Sequence, residues 1–176
     1  VMTYGMTNEI KFGGLRNFDI EPFETVLVKE LIPYIDEQYR TLSDQPNRAM
    51  AGLSMGGMET KMITLKNLDK FSQIGLFSGG SISPDDIQDM AAFKEKNKLV
   101  FVSYGSRELG GNRRRGGDPK AATEALKKAG IHSVFYVSPD TAHEWQSWRR
   151  SLREFAPLLF KPRSVNISGT WKAEFD

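Results

Sequence analysis

Apolar positions along the chain alternate between two spacings, and the alternation predicts strand followed by helix several times over. Short apolar runs near Val1–Tyr4, Arg48–Leu53, Gln73–Ser78, Leu99–Tyr104 and Ser133–Val137 read as strands. Between the first two, Phe23, Val26, Leu27, Leu31, Tyr34 and Ile35 recur at helical spacing after the start signal Glu21-Pro22, and Pro33 inside that helix should kink it. Met58, Met62 and Leu65 continue at helical spacing after Gly56-Gly57 and are expected to pack beneath it. Pro119 through Lys128 form the next helix, closed by Gly130, and Trp145, Trp148, Leu152, Phe155, Ala156 and Leu159 make the apolar face of the last. Strands separated by helices argue for an α/β fold with a mainly parallel sheet covered on both faces.

Between the second predicted strand and its helix lies Gly52-Leu53-Ser54-Met55-Gly56. A G-x-S-x-G turn at a strand-to-helix junction is a nucleophile elbow. The serine takes a strained conformation that exposes its hydroxyl and tolerates only small neighbours, and Gly52, Gly56 and Gly57 are expected to supply that room. The amide of Met55, at the start of the helix, is a natural half of an oxyanion hole. A nucleophilic serine needs a base, and the chain holds two histidines. His132 stands at the start of a strand, where a solvated or packing role is expected. His143 stands in the loop beyond the last strand, where the order serine, acid, histidine puts the base. For the acid, Glu108 follows the strand Leu99–Tyr104 through Ser106-Arg107. Asp85 and Asp86 follow the preceding strand and are the alternative, although Ser83-Pro84-Asp85-Asp86 reads equally as a helix start. Asp118 and Asp140 suit turns or caps.

Composition narrows the partners. The 176 residues make room for one domain, and 39% apolar content supplies a core. A net charge of +2 gives no electrostatic case for nucleic acid or acidic membranes, and no run is long and apolar enough to span a bilayer. The absence of cysteine removes a disulfide scaffold, a thiolate nucleophile and cysteine-ligated zinc. His143-Glu144 opens like a zinc-protease motif, but Ser147 stands where the second histidine is needed, so no metal or cofactor is expected. Arg113-Arg114-Arg115, among glycines, offers cations to an anionic substituent such as a uronic acid, against the plainer reading of a solvated loop. Ser78-Gly79-Gly80-Ser81 is no phosphate motif, and Ser78 is a candidate for the acyl pocket. Trp145, beside the base, is a candidate for stacking on an aromatic acyl group or sugar ring, against the more usual core role.

Several ordered stretches carry a family resemblance: Leu31-Ile32-Pro33-Tyr34-Ile35, Tyr39-Arg40-Thr41, Arg48 through Gly57, Leu65-Lys66-Asn67-Leu68-Asp69-Lys70-Phe71, and His143-Glu144-Trp145-Gln146-Ser147-Trp148 with Phe155 through Phe160. In these the chain resembles bacterial carbohydrate esterases of the feruloyl and acetyl-xylan esterase type (carbohydrate esterase family 1), relatives of the enterochelin-esterase-like and esterase D-like groups. The resemblance implies an α/β-hydrolase fold with Ser54 as nucleophile, His143 as base and Glu108 as acid, where the family commonly has aspartate. It implies a serine esterase that removes feruloyl or acetyl groups from a plant cell-wall polysaccharide such as xylan through an acyl-enzyme, secreted or periplasmic in a bacterium. Its alternatives are hydrolysis of a siderophore ester or S-formylglutathione, or a non-catalytic carbohydrate-binding module on the same fold. By the same resemblance Val1–Tyr4 is the fourth strand, so the N-terminal strands and the second oxyanion donor are expected to lie outside this sequence, in the N-terminal part of the same hydrolase domain. Residues 1–161 are then the hydrolase, and 162–176 a linker and the start of a further β-rich module at Val165–Phe175.

Overall fold

The computed structural model describes residues 1–6, 19–109 and 117–161. The arginine triplet and the segment from 162 onward lie outside the described residues. Four strands, β1 (Ala49–Leu53), β2 (Gln73–Phe77), β3 (Leu99–Gly105) and β4 (Ser133–Ser138), form a parallel sheet in sequential order. Each matches, to within a residue at either end, the apolar run that predicts it. The Val1–Tyr4 strand does not form: these residues pair with no described strand, and their apolar side chains face solvent. An apolar tetrad becomes a strand only where a neighbour completes the ladder, and no described strand lies beside it.

Alternation along β2 and β3 sorts side chains onto two cores. Ile74 and Leu76 of β2 register with Val100 and Val102 of β3, and pack with Phe93 and Leu126 under α4 (Met90–Lys96) and α5 (Pro119–Lys128). Phe77, Leu99 and Phe101 point to the opposite face, where Phe155 of α6 (Trp145–Phe155) meets Phe77 edge-on at a centroid distance of 5.6 Å. Helices therefore cover both faces, as the strand–helix alternation implies.

The first helical stretch is continuous but not uniform. Between α1 (Glu21–Val26) and α2 (Ile32–Gln38) the residues Leu27–Leu31 widen into a π-turn, with the Ile32 N–H reaching back to the Leu27 carbonyl. Pro33 has no N–H to donate and its ring crowds the carbonyl four residues back, so the local relief is the π-turn. Phe23 is buried against Ile63 and Phe71, whereas Tyr34 is exposed.

Two predicted apolar faces are rotated from their expected positions. In α3 (Met55–Lys66) the buried side runs through Gly57, Glu59, Thr60, Ile63 and Thr64, while Met62 is exposed. The tight turn at Ser54 fixes how the helix leaves the sheet, and with it which side is buried. Thr64 satisfies its hydroxyl on the Thr60 carbonyl at 2.6 Å. In α6 the buried residues are Ser147, Ser151 and Phe155, while Trp145 is 73% and Leu152 53% exposed. The serines let α6 approach closely, Ser147 Oγ lying 3.1 Å from Thr141 Oγ1.

Glu59 is a charged residue type in a place that disfavours charge. It is 3% exposed, its Oε1 has no hydrogen-bond partner among the described residues, and burial pushes its pKa from an ordinary 4.5 to about 7. A carboxyl with a raised folded pKa costs nothing below the unfolded value and increasingly more as pH climbs to the folded one. Glu59→Gln in the full-length protein is therefore expected to leave Tm unchanged near pH 4.5 and to raise it at pH 8. Thermal melts at the two pH values test this, and an equal shift at both would show that Glu59 ionises normally in the fold.

Candidate active site

In a parallel sheet all strands end on the same side, and loops leaving those ends converge. Here each of the four ends contributes a polar side chain to one cluster: Ser54 after β1, Ser78 after β2, Glu108 after β3 and His143 after β4. The register makes the first two neighbours, because Leu53 pairs with Phe77. Ser54 N–H donates to the Phe77 carbonyl at 2.8 Å, and Ser78 N–H to the Ser103 carbonyl at 2.7 Å.

Ser54 has φ 54° and ψ −118°, outside the regions open to an ordinary L-residue. Such a conformation costs on the order of 1–3 kcal/mol and persists only where the surroundings over-determine it. The glycines around it show how. A Cβ on Gly52 would collide with the Gly56 carbonyl, and one on Gly57 would lie 2.7 Å from Gly79 Cα. Gly79, from the loop after β2, would in turn strike the Ser54 carbonyl if it carried a side chain. Gly56 differs from expectation, since a Cβ there would meet only Glu59 Oε2, at 3.9 Å. Its own carbonyl is the obstacle that keeps residue 52 a glycine. Gly79 is a supporting position that the motif does not reveal, because it is distant in sequence.

From this turn the Ser54 hydroxyl lies 2.8 Å from His143 Nε2, and His143 Nδ1 lies 2.7 Å from Glu108 Oε1. The imidazole side chain is half exposed, and the Glu108 side chain is only 12% exposed. The second carboxylate oxygen of Glu108 accepts the Gly105 N–H and the Ser78 hydroxyl, both at 2.7 Å. A short 3₁₀ turn, Ser106–Glu108, brings the side chain back over the end of β3. The loop that carries His143 is tied to that turn: Arg107 N–H donates to the Thr141 carbonyl at 2.9 Å, and Asp140 N–H donates to Ser106 Oγ at 2.9 Å. Asp140 itself occupies the left-handed region, as suits a turn residue.

The other sequence candidates fall outside the cluster or take a different position in it. Asp86 closes a capping box with Ser83 and pairs with Lys61 at 2.7 Å. Burial pushes its carboxyl up, but the Lys61 ammonium and the Ser83 donors outweigh that and hold it below the ordinary range. Asp85 belongs to the same 3₁₀ turn, Pro84–Asp86. Asp118 caps α5 by accepting the Lys120 N–H. His132 Nδ1 lies 3.1 Å from the Lys98 carbonyl, away from the cluster. Glu144 Oε1 accepts the Ala142 N–H at 3.0 Å. The hydroxyl of Ser78, the acyl-pocket candidate, is engaged within the cluster: it donates to Glu108 and accepts the Trp148 Nε1–H at 3.1 Å. Tyr104, whose hydroxyl accepts the Gly80 N–H at 2.9 Å, has its pKa raised by burial and by the nearby Glu108 charge, so it stays protonated. Trp145 lies outside the core, with Trp148 edge-on to it at 5.3 Å and Trp148 in turn edge-on to His143 at 5.1 Å.

A parallel sheet covered on both faces, with serine, glutamate and histidine after β1, β3 and β4 in that chain order, is the architecture of an α/β-hydrolase. Residues 16–159 match the Esterase family, and the chain belongs to it. Over 164 residues it is 47% identical to an endo-1,4-beta-xylanase/feruloyl esterase of Xylanibacter ruminicola; the match takes in 92% of this chain and 21% of that protein. The chain thus spans about a fifth of the curated relative's length. Among solved structures, a CE1 ferulic acid esterase from Anaeromyces mucronatus superposes with a TM-score of 0.59 at 20% identity, covering 78% of this chain and 53% of that one. A mutant of the feruloyl esterase module from Clostridium thermocellum, complexed with sinapinate, gives 0.60 at 19% identity, covering 88% and 63%. At these identities the likeness is one of fold.

The two carboxylate positions separate experimentally. Glu108→Ala is expected to lower ester turnover by roughly 10³–10⁴-fold while the protein stays folded, the loss that follows when a carboxylate that orients a general base is removed. Asp86→Ala should cost about 1 kcal/mol of stability through the lost cap and leave turnover within a few-fold. Steady-state kinetics alongside denaturant melts decide, and the reverse pattern would move the acid to the loop after β2.

Proposed function

We propose that Ser54, His143 and Glu108 form the catalytic apparatus of a serine esterase acting on ester-linked acyl groups of a plant cell-wall polysaccharide, feruloyl or acetyl on xylan. The observation that carries the reading is the unbroken chain from Ser54 Oγ through the imidazole to Glu108, at 2.8 and 2.7 Å, with the serine on a strained turn at a helix start. His143 Nε2 takes the Ser54 proton as Oγ attacks the ester carbonyl, and Glu108 holds Nδ1 protonated and stabilises the imidazolium. The oxyanion that forms sits against the Met55 N–H, one of the first-turn amides that have no partner within their own helix. Collapse expels the sugar alkoxide, which takes the proton from Nε2 and leaves an acyl-enzyme. Water activated by the same histidine then attacks, Ser54 regains its proton, and the free acid departs.

The curated relative's name, which couples xylanase with feruloyl esterase, supports the choice of substrate. The exposed indole of Trp145, separated from His143 by the ring of Trp148, adds a flat apolar face suited to an aromatic acyl group or a sugar ring. A polymeric substrate calls for an enzyme that is secreted or periplasmic, and the greater length of the relative suits further modules flanking a hydrolase at residues 1–161.

Fluorophosphonate labelling of the full-length protein tests the chemistry: the probe should attach at Ser54, and Ser54→Ala should abolish labelling and lower turnover by about 10⁴-fold or more. A folded Ser54→Ala variant with most of its activity would sink the reading, and absence of both labelling and turnover would favour a binding module. Comparison of kcat/KM on methyl ferulate, acetylated xylan, a siderophore ester and S-formylglutathione tests the substrate. Preference for either of the last two keeps the mechanism and removes the cell-wall assignment.

A further inference from the structure

The cluster contains a second layer that the proposed triad does not use. Trp148 Nε1–H donates to Ser78 Oγ at 3.1 Å, and Ser78 Oγ lies 2.7 Å from Glu108 Oε2. The direction of both bonds is fixed by chemistry. An indole nitrogen can only donate, so Ser78 Oγ is the acceptor of that bond, and its own proton is left for the carboxylate. Ser78 stands at φ 51°, in the left-handed region, a conformation that turns it back toward the end of β3. Trp148 is packed against the aromatic core on that face of the sheet and edge-on to the His143 ring at 5.1 Å.

We infer that Trp148 and Ser78 are positioning residues for the acid, a relay that locks the Glu108 carboxylate so that Oε1 faces His143. The inference rests on the catalytic reading of Ser54, His143 and Glu108 given above. Its physical basis is the length of the side chain. Glutamate has one more rotatable bond than aspartate, and a carboxylate held only through Oε1 could swing away from the imidazole. Two donors on Oε2, the Gly105 amide and the Ser78 hydroxyl, remove that freedom, and the Trp148 N–H keeps the hydroxyl from rotating toward another acceptor. The same side chain that fixes Ser78 also flanks the histidine, so one indole sets the orientation of both the base and its acid.

Three variants of the full-length protein test this: Ser78→Ala, Ser78→Gly, which suits the backbone at φ 51° while removing the hydroxyl, and Trp148→Phe, which keeps the ring packing and removes the N–H. The expected result is a fall in kcat of about tenfold or more for both Ser78 variants and several-fold for Trp148→Phe, with KM nearly unchanged. In a Glu108→Ala background the same substitutions should have no further effect on kcat, because there is no carboxylate left to position. The far-downfield proton resonance of His143 Nδ1–H reports the bond to Glu108 whether or not any ester is turned over. It should be present in the parent and broadened or lost in Ser78→Ala and Ser78→Gly. Retention of that resonance with kcat within twofold of the parent, or an equal loss of kcat with and without Glu108, would overturn the inference. Loss of the resonance in a protein that hydrolyses no ester would uphold the positioning role and defeat the esterase reading instead.

Discussion

The parallel register of the four strands is the constraint on which the rest of this molecule depends. Pairing Leu53 with Phe77, Phe77 with Ser103, and Gly105 with Ser138 brings four strand ends to one rim. A shift of one residue would turn every side chain of a strand to the opposite face, separating Ile74 and Leu76 from their core and moving the residues that follow each strand. Because both faces of β2 and β3 are buried, the register is set by packing over the whole sheet. The polar cluster inherits that precision without having to generate it.

Strain at Ser54 is the local consequence. The left-handed serine is held between a helix start that cannot move, because Gly52 and Gly56 are already in contact distance, and a loop that supports it from below through Gly79. Removing side chains at these points replaces packing with backbone-to-backbone contact, which is stiffer than a rotameric side chain. Rigid support of this kind keeps a hydroxyl aimed at an imidazole at 2.8 Å.

Glu108 shows a different solution to the same problem. Its backbone sits on a short 3₁₀ turn, and its reach comes from a flexible side chain, so orientation has to be supplied by hydrogen bonds from three separate segments: the end of β3, the loop after β2 and, through Ser78, the helix that carries Trp148. The loop after β4 is fastened to the same turn through Arg107 and Ser106. Glu108 and the loop that carries His143 are therefore fastened to each other at the rim of the sheet.

Sequence alone determined the features that depend on local chemistry. The four central strands, the helix starts at Pro22 and Pro119, and the Gly52–Gly57 turn are legible because strand periodicity, proline geometry and glycine spacing act over a few residues. Chain order pointed to Ser54 and His143 and favoured Glu108 while leaving Asp85 and Asp86 as the alternative acid; the fold brings Ser54, His143 and Glu108 together. What only the tertiary structure decided are the long-range choices. Val1–Tyr4 has strand composition but no ladder partner among the described strands. Trp145 and Met62 fit a helical apolar stripe, yet face outward because Ser147 and Ser151 in one helix, and Gly57 and Thr60 in the other, permit closer packing than the larger residues would. Ser78, read as a pocket residue, is turned toward Glu108 by its backbone conformation, and its partner Trp148 lies 70 residues away. Periodicity says which residues share a face. Which face the sheet accepts, and which hydroxyl meets which carboxylate, follows only from packing between segments distant in the chain.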